Sequence, residues 1–291
     1  MIGLIGGTGL GEALLGENVG EERWIDTPFG RPSAPIRLCR WHGLDLAILA
    51  RHGPGHVLNP SQVPYRANIY ALKSLGVTHI LASGAVGSLR EEYHPRDLVI
   101  VDQLIDKTYR RTPTFFDEGL VAHVEFAQPY CPVLRQILID AAPRVKTTVH
   151  PRGTYVVMEG PAFSTVAEAK MHQGWNADLI GMTALPEAKL AREAEIAYAL
   201  IALVTDYDCW RPHPPGVPPQ QLLTEIIGHL KAATQNAITL MRAAIERMAT
   251  QPPGPSPAHR ALDLAVWTDR TALTTVVTSR YGVLLERFLK Q

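Results

Sequence analysis

Short apolar runs bounded by turn residues recur through the first two thirds of this chain, and they constrain its fold more than any other feature. The runs cover residues 2–5, 46–50, 79–81, 98–101, 154–158 and 199–204. Because they are apolar on both faces, they are typical of strands buried inside a central sheet. Helical stretches at 65–75, 165–175 and 186–195 lie between them, so the sequence predicts an α/β fold. Thr183 is the predicted N-cap of the last of these helices.

The last third of the chain is predicted to be helical. A long amphipathic helix spans 219–248, a proline-rich linker spans 251–257, and the tail 258–291 has the pattern of two short helices. Because a tail of this size is too small to fold alone, we expect it to pack on the main domain or on a neighbouring subunit. We therefore divide the chain into a main domain, 1–250, and a linker with its tail, 251–291.

Charge and cysteine content exclude several classes of function. The 28 Lys and Arg residues balance 28 Asp and Glu residues, so nothing favours a nucleic-acid or membrane-surface partner. No apolar run is long enough to cross a bilayer, and the N-terminus lacks the pattern of a signal peptide. The 3 cysteines are scattered and no Cys/His motif indicates a metal site. We expect a cytoplasmic protein without a metal.

Three segments that follow predicted strands have the chemistry of an anion site. Residues 6–11 consist of four glycines with Thr8 and Leu10, Arg51 and His52 follow the strand 46–50, and a small-residue loop is predicted at 82–88. Glycine-rich backbone presents N–H groups to a phosphate, and arginine offers a donor fork. Each segment alone is equally consistent with a tight turn or an exposed loop. Their common position after strands favours a phosphate site.

Three other segments suit a polar ring. The strand 199–204 leads directly into Asp206 and Asp208, at the kind of strand end where α/β proteins bind ligands. Phe163 follows another predicted strand and could stack on a heterocycle, and Met182 could cover a sugar face. The alternatives are ordinary ones: solvated or capping carboxylates, a core aromatic residue and a methionine that fills the core.

Taken together, these segments resemble the 5′-methylthioadenosine phosphorylase branch of the trimeric purine nucleoside phosphorylase family. The matching motifs occur in the family's order and span nearly the whole chain. They are residues 6–9, 51–53, 65–72, 85–89, His123 with 129–131, 159–164, 181–183 with 186–187, and 205–210. The resemblance implies one α/β domain around a mixed, partly barrel-like sheet flanked by helices. It also implies a homotrimer with active sites near the subunit interfaces.

The resemblance assigns roles by position. The implied phosphate-binding residues are Thr8, Arg51, His52, Gly84, Ala85 and Thr183. The implied nucleoside-binding residues are Met182 at the ribose, Phe163 at the base, Asp206 and Asp208 at the adenine edge, and Gly181 and Tyr207 beside them. Ser164 and Pro219 fall on positions tied to nucleoside choice, and Leu222 and Leu223 on the methylthio pocket. His123 and the tail near Leu284 would reach in from the adjacent subunit.

The chain departs from the family's common pattern at three positions. Gly84 stands where many relatives carry Ser or Thr, so one phosphate hydroxyl is missing while the backbone can still donate. Ala162 stands where Arg is common, and Pro219 where an aliphatic residue is common. These departures bear on affinity rather than on the class of reaction.

The implied reaction is phosphorolysis of 5′-methylthioadenosine to adenine and 5-methylthioribose 1-phosphate, with inorganic phosphate as co-substrate and no cofactor. Asp206 would donate a proton or a strong hydrogen bond at purine N7, which requires a raised pKa. Asp208 would accept from the 6-amino group. We therefore expect Asp206 and Asp208 to be the catalytic residues.

Two alternatives stay open from the sequence. The chain could be a broader purine nucleoside or methylthioinosine phosphorylase, although a carboxylate pair suits a 6-amino purine better than a 6-oxo purine. It could also be a nucleoside-binding protein that has lost catalysis, although a pure binder would not need the phosphate residues.

Overall fold

A computed structural model describes residues 1–17, 19–212 and 216–290 of the chain. The strands are β1 (Ile2–Gly6), β2 (Glu21–Arg23), β3 (Ile36–Trp41), β4 (Leu44–Ala50), β5 (His79–Ser88), β6 (Leu98–Ile100), β7 (Gln103–Lys107), β8 (Val149–His150), β9 (Thr154–Met158), β10 (Leu179–Gly181) and β11 (Ala197–Asp206). The helices are α1 (Leu10–Glu17), α2 (Tyr65–Ser74), α3 (Pro132–Ala141), α4 (Val166–Gly174), α5 (Glu187–Glu193), α6 (Pro219–Thr250), α7 (Thr275–Tyr281) and α8 (Glu286–Leu289).

The predicted α/β fold with a mixed central sheet is confirmed. The six apolar runs lie in β1, β4, β5, β6, β9 and β11, and the predicted helices correspond to α2, α4, α5 and α6. Helices α1, α3 and α6 cover one face of the sheet, while α2, α5 and the C-terminal tail cover the other. Both faces of the central strands are therefore buried, which explains their apolar character.

The sheet branches at β5 rather than closing into a barrel. The first half of β5 pairs in parallel with β1, nearly its whole length pairs in parallel with β11, and its last two residues pair antiparallel with β10. Strand β11 in turn pairs antiparallel with β6. The branching brings the carboxyl ends of β1, β5 and β11 together on one side of the molecule.

Two local predictions were wrong. Residues 82–88 were expected to be a loop, but they continue β5 to Ser88 because β11 and β10 supply hydrogen-bond partners along that stretch. Thr183 was expected to cap a helix, but α5 begins at Glu187 and its N-cap position is Pro186, without a side-chain cap. Residues 182–186 form an irregular turn, which leaves Thr183 at the sheet edge instead.

The C-terminal tail packs on its own main domain. It contains two short α-helices, α7 and α8, as predicted, and Leu284, Leu285 and Phe288 are buried within the main core. Tyr281 Oη donates to the Glu118 carbonyl at 2.6 Å, which ties the tail to the body. Leu284 itself is 1% exposed within the single chain, and contact between the tail near it and an adjacent subunit stays a prediction.

Helix α6 is the longest element, with 32 residues. Its C-terminal half packs on the sheet, whereas the first turns project from the body and expose Leu223 and Ile227. Across the part of the chain that the structure describes, α6 and the other helices lack the combined length and apolar character needed to span a bilayer.

Candidate active site

A cavity of about 830 Å³ lies at the carboxyl ends of the parallel strands. This is where open α/β sheets place their ligands, because loops from neighbouring strands meet there. The strands β1, β4, β5, β9, β10 and β11 all contribute to its wall, directly or through the residues that follow them. Its lining includes Gly7, Thr8, His52, Gly84, Ala85, Phe163, Gly181, Met182, Thr183, Asp206, Tyr207 and Asp208. The structure thus brings together eleven of the sequence-predicted site residues, together with Gly7.

The phosphate-predicted side of the cavity is formed by closely packed strand ends. Gly7 N–H donates to Ser83 Oγ at 3.2 Å, which joins the end of β1 to β5. A Cβ added at Gly7 would lie 2.8 Å from Arg51 Nη1 and 2.9 Å from the Ser83 carbonyl oxygen, so glycine is needed for this approach. A Cβ at Gly84 would lie 3.6 Å from Thr183 Oγ1, an ordinary contact distance. Thr183 therefore stands directly opposite the backbone of β5.

Arg51 does not line the cavity, and its donor fork is directed elsewhere. Its Nε donates to Glu187 Oε2 and its Nη2 to Glu187 Oε1, both at 2.7 Å, and both side chains are fully buried. Its Nη1 donates to the Ser83 carbonyl at 2.7 Å. A buried guanidinium needs such a partner. Arg51 therefore makes its bidentate contact with Glu187, whereas the sequence predicted that it would make this contact with phosphate. Its Nη1 is the donor group nearest to the loop at Gly7.

The charge on Arg51 persists despite its burial. Burial opposes the charged form, but the adjacent Glu187 carboxylate raises the pKa of Arg51 above its ordinary value. Tyr198 Oη donates to Glu187 Oε1 at 2.7 Å and completes the cluster. Arg51 and Glu187 therefore form a hydrogen-bonded ion pair without net charge beneath the strand ends.

His52 enters the cavity as a neutral side chain. Its Nδ1 lies 2.8 Å from the Leu58 carbonyl oxygen, and its ring stacks on that of His56 at a centroid distance of 4.2 Å. Burial, reinforced by the nearby charge of Arg51, lowers the pKa of His52 to about 4. A carbonyl only accepts, so Nδ1 carries the hydrogen and Nε2 is left as an acceptor.

The opposite side of the cavity carries the two carboxylates. Thr205 Oγ1 lies 2.6 Å from Asp206 Oδ1, at the last residue of β11. Asp208 is buried, and its Oδ2 has no hydrogen-bond partner among the described residues. Burial raises the pKa of Asp208, although bonds from Cys209 N–H and the Ser164 hydroxyl partly offset this effect. This side can therefore accept hydrogen bonds from a polar ring.

Phe163 and Gly181 frame the carboxylates. Phe163 is 82% exposed at the mouth of the cavity, so its ring is available to a ligand rather than part of the core. A Cβ at Gly181 would lie 2.1 Å from Tyr155 Oη, so only glycine fits at the end of β10. Ser164 borders the cavity without lining it, and its carbonyl accepts from Cys209 Sγ at 3.2 Å.

Four other predicted residues lie away from the cavity. Leu222, Leu223 and Pro219 sit in the projecting first turns of α6, whereas Ile226 and Leu230 form the wall. Residues four apart share one helix face, so Leu222 continues the same apolar stripe beyond the cavity mouth. The His123 ring packs edge-on against that of Trp267 at a centroid distance of 4.7 Å, and the backbone N–H of His123 donates to the Ala265 carbonyl at 2.8 Å.

Sequence reasoning missed a second buried ion pair. Arg111 and Glu159 pair at 3.4 Å, with both side chains nearly inaccessible. Arg111 Nη1 also donates to the carbonyls of Met182 and Leu185, and the Glu159 carboxylate accepts from Ser61. The pair holds the Met182 turn in place. Glu159 lay within a recognised motif, but Arg111 had no local signal because its partners come from distant segments.

Comparisons with known proteins place these features in context. Residues 1–246 match the family model described as the phosphorylase superfamily. The chain is 47% identical to the S-methyl-5′-thioadenosine phosphorylase of a Synechocystis strain, over 99% of this chain and 87% of that protein. It is 46% identical to the enzyme of the same name from Thermosynechococcus vestitus, over 99% of both chains.

Solved structures show the same relationship. A methylthioadenosine phosphorylase from an antarctic soil metagenomic library is 45% identical, with a TM-score of 0.89 over 98% of both chains. A variant of the adenosine/methylthioadenosine phosphorylase of Schistosoma mansoni, in complex with methylthioadenosine, is 33% identical, with a TM-score of 0.78 over 98% of this chain and 97% of that one. The similarity therefore extends through the tail as well as the main domain.

Proposed function

The chain belongs to the phosphorylase superfamily, and we propose that it cleaves 5′-methylthioadenosine with phosphate to give adenine and 5-methylthioribose 1-phosphate. The observation that carries this proposal is a single cavity. Asp206, Asp208, Thr8 and Thr183 all line it; along β5, Thr183 lies beside Gly84 and Asp208 lies beside Gly87, three residues further on. An anion and a polar ring can thus be held on opposite sides of one sugar.

Phosphate binds on the side formed by Gly7, Thr8, His52, Ala85 and Thr183. Backbone N–H groups and the two threonine hydroxyls donate to its oxygens. Phosphate held there attacks C1′ of the ribose while the C1′–N9 bond breaks. Holding both reactants in one cavity supplies much of the rate enhancement, because the attack becomes effectively unimolecular.

The carboxylates stabilise the departing base. Asp206 donates a proton or a strong hydrogen bond at N7, where negative charge grows as the bond breaks. Asp208 accepts from the 6-amino group, and its burial makes this contact strong. Phe163 closes over the base, and Met182, fixed by Arg111, covers the sugar.

The wall of α6 matches a methylthio group. Ile226 and Leu230 line the cavity, and Val57 and Leu58 are further apolar residues in its lining. A 5′-hydroxyl placed against such a wall loses its hydrogen bonds to water. A thioether loses little there, because its sulfur is only a weak hydrogen-bond acceptor. This contrast supports 5′-methylthioadenosine as the preferred substrate over adenosine.

The proposal includes a homotrimer in the cytoplasm that needs no cofactor beyond phosphate as co-substrate. Around His123, the apolar side chains of Val121, Leu264 and Trp267 are exposed in the single chain. Contiguous exposed apolar surface is typical of an interface, and His123 would approach the neighbouring site from it. The cysteines Cys39, Cys131 and Cys209 are free thiols, which suits a reducing compartment.

A substrate panel tests the function. Release of the free base is followed by ultraviolet absorbance, as adenine from 5′-methylthioadenosine and adenosine and as hypoxanthine from methylthioinosine and inosine, each with and without phosphate. We expect cleavage only with phosphate, fastest with 5′-methylthioadenosine and poor with the two 6-oxo nucleosides. A clear preference for inosine or methylthioinosine would contradict the assignment, as would tight nucleoside binding without turnover.

A further inference from the structure

A second cavity, of about 240 Å³, lies far from the active site and shares none of the described lining residues with it. Cys131 is in its wall, and the backbone N–H of Cys131 donates to the Tyr198 carbonyl at 2.8 Å, near the start of β11. Asp206, in the active site, ends the same strand. Because an extended strand rises about 3.3 Å per residue, roughly 26 Å of β11 separates Tyr198 from Asp206. The second cavity is therefore a separate site at the opposite end of β11.

Arg192, in the last turn of α5, brings a buried charge to this cavity. Its side chain is 8% exposed, and its Nη1 and Nη2 donate to the carbonyls of Glu125 and Gln128, both at 2.6 Å. Carbonyl groups are neutral, and the carboxylate of Glu125, 3.3 Å from Nη1, is 71% exposed. Burial lowers the pKa of Arg192, and the Glu125 carboxylate offsets this effect only in part. Arg51 and Arg111 differ, because each pairs with a carboxylate that is itself buried. The buried charge of Arg192 is therefore only partly compensated.

Two donors in the wall of the second cavity have no acceptor among the described residues. One is Nε of Arg192, since the hydrogen bonds of its guanidinium come from Nη1 and Nη2. The other is the Ser256 hydroxyl, whose oxygen accepts from Cys131 Sγ and from Ala258 N–H, both at 3.2 Å, so its hydrogen remains available. Pro132 is the first residue of the 10-residue helix α3, and the N-terminus of a helix carries partial positive charge. The free donors and the positive charge together favour an anion.

The rest of the lining favours an organic anion over an inorganic one. Its apolar residues are Ala127, Pro132, Pro257 and Ala258. An inorganic anion placed against these residues loses water on that side without gaining a partner, whereas an alkyl chain gains contact there. A carboxylate also matches the planar guanidinium of arginine. The volume equals that of about eight water molecules, which admits a carboxylate of about three to six carbon atoms.

We propose that the second cavity binds a short-chain carboxylate, which is a binding site beyond the function proposed above. The carboxylate accepts from Arg192 and Ser256, and the alkyl chain packs on the apolar residues of the wall. The bound anion supplies the counter-charge that the exposed Glu125 carboxylate provides only in part. Binding thus requires both a negative charge and an apolar chain, and a test can remove each separately.

Butyrate is the probe, and its binding is followed by ligand-observed NMR at pH 7.5 and constant ionic strength. Butan-1-ol, which keeps the chain without the charge, and sulfate, which keeps the charge without the chain, are added as competitors. We expect butyrate to bind one site per chain with a Kd of about 1 mM. Each competitor should displace it only at concentrations at least about tenfold higher than those at which butyrate competes with itself. Absence of butyrate binding, or a competitor as effective as butyrate, overturns the proposal.

Two variants assign the binding to this cavity. Arg192→Met keeps an unbranched side chain but removes the charge, so butyrate should bind about 10–100-fold more weakly. Ala127→Phe fills the cavity and leaves Arg192 in place, and it should weaken binding to a similar extent. Because Ala127 is exposed, this second variant is expected to fold even if Arg192→Met does not. Unchanged butyrate affinity in folded Ala127→Phe overturns the proposal.

Arg135→Met is the matched control. Arg135 Nε and Nη2 donate to the carbonyls of Val101 and Pro151 at 3.1 and 2.6 Å, so its bonding resembles that of Arg192, but it lies outside the cavity lining. Its affinity for butyrate should stay within about twofold of the parent value. A loss in Arg135→Met equal to that in Arg192→Met would show that butyrate binds elsewhere, and would also overturn the proposal.

Discussion

Glu187 holds Arg51 through two parallel hydrogen bonds, Nε to Oε2 and Nη2 to Oε1, each 2.7 Å long. The two residues are separated by 136 positions and both are fully buried. The pair also engages Tyr198 through Glu187 Oε1 and the Ser83 carbonyl through Arg51 Nη1. It therefore joins β4, β5, α5 and β11 directly beneath the proposed phosphate site, and sets the spacing of the strand ends.

Removing the Glu187 charge should destabilise the fold. In Glu187→Gln the buried guanidinium of Arg51 loses its counter-charge, and we expect the free energy of unfolding to fall by about 3–5 kcal/mol. Tyr198→Phe is the matched control, because it removes one hydrogen bond, worth about 1 kcal/mol, and keeps the ion pair. Urea unfolding measures both. Equal stability of Glu187→Gln and the parent would show that the pair does not organise this region.

Because His52 is neutral in the folded protein, the free energy of unfolding should depend on pH. Its pKa is lowered to about 4 in the folded protein, so the unfolded chain binds a proton first as the pH falls. The stability contributed by neutral His52 is present above the ordinary histidine pKa and is lost between about pH 6.5 and pH 4. Relative to the parent, His52→Gln should therefore gain on the order of 3 kcal/mol when the pH falls from 7 to 4.

His79 provides the comparison for this measurement. Its pKa is also lowered to about 4 by burial, but it lies on the first residue of β5, outside the cavity lining. His79→Gln should show the same direction of pH dependence without changing the apparent KM for phosphate. If the difference in unfolding free energy between His52→Gln and the parent is flat across this pH range, His52 is not held neutral.

The proposed mechanism makes Asp206 the main stabiliser of the leaving base. Asp206→Asn should lower kcat on 5′-methylthioadenosine by about 10²–10³-fold, because one electrostatic contact to the transition state is lost. Activity on 6-oxopurine nucleosides should improve in relative terms, since the amide can donate to O6. Circular dichroism confirms folding. A folded variant with full activity and the parent's substrate preference would assign Asp206 a purely structural role.

The wall of α6 should determine preference at the 5′ position. Ile226→Ala removes apolar contact from the cavity, so kcat/KM should fall about tenfold more for 5′-methylthioadenosine than for adenosine. Ile227→Ala is the control, because Ile227 is one position further along the helix and is 56% exposed outside the cavity lining. Equal losses on the two nucleosides in Ile226→Ala would place the methylthio group elsewhere.

Assembly should depend on the surface around His123. Trp267→Glu places a charge in the exposed apolar patch and should convert the proposed trimer to smaller species in light scattering. Trp24→Glu, at an exposed tryptophan remote in sequence from this patch, should leave the mass unchanged. A monomeric, fully active parent protein would remove the proposed role of His123.

The sequence predicted features that depend on local chemistry. The strands were identified because burial on both faces requires apolar runs. Asp206, Asp208 and Thr8 were placed in the site because residues at the carboxyl ends of parallel strands lie close together on one side of the sheet. Features that depend on distant partners were not predicted. The pairing of Arg51 with Glu187 is one, and the anchoring of Met182 by Arg111 is another.

Errors in position have similar causes. The continuation of β5 past Leu81 depends on pairing with β10 and β11. The small residues at 82–88 are compatible with a strand, but their sequence pattern does not predict one. The wall residues on α6 lie one and two turns beyond Leu222, at Ile226 and Leu230, because helix periodicity determines the apolar face but not which of its turns line the cavity.

The central claim is that phosphate, and not water, accepts the sugar. Phosphorus NMR of a reaction with 5′-methylthioadenosine and a limiting amount of phosphate follows both products at once. The account predicts that inorganic phosphate disappears in step with adenine release, with one sugar 1-phosphate formed for each adenine, and that the reaction stops when phosphate is exhausted. Adenine release that continues without phosphate, leaving a free sugar, would contradict it.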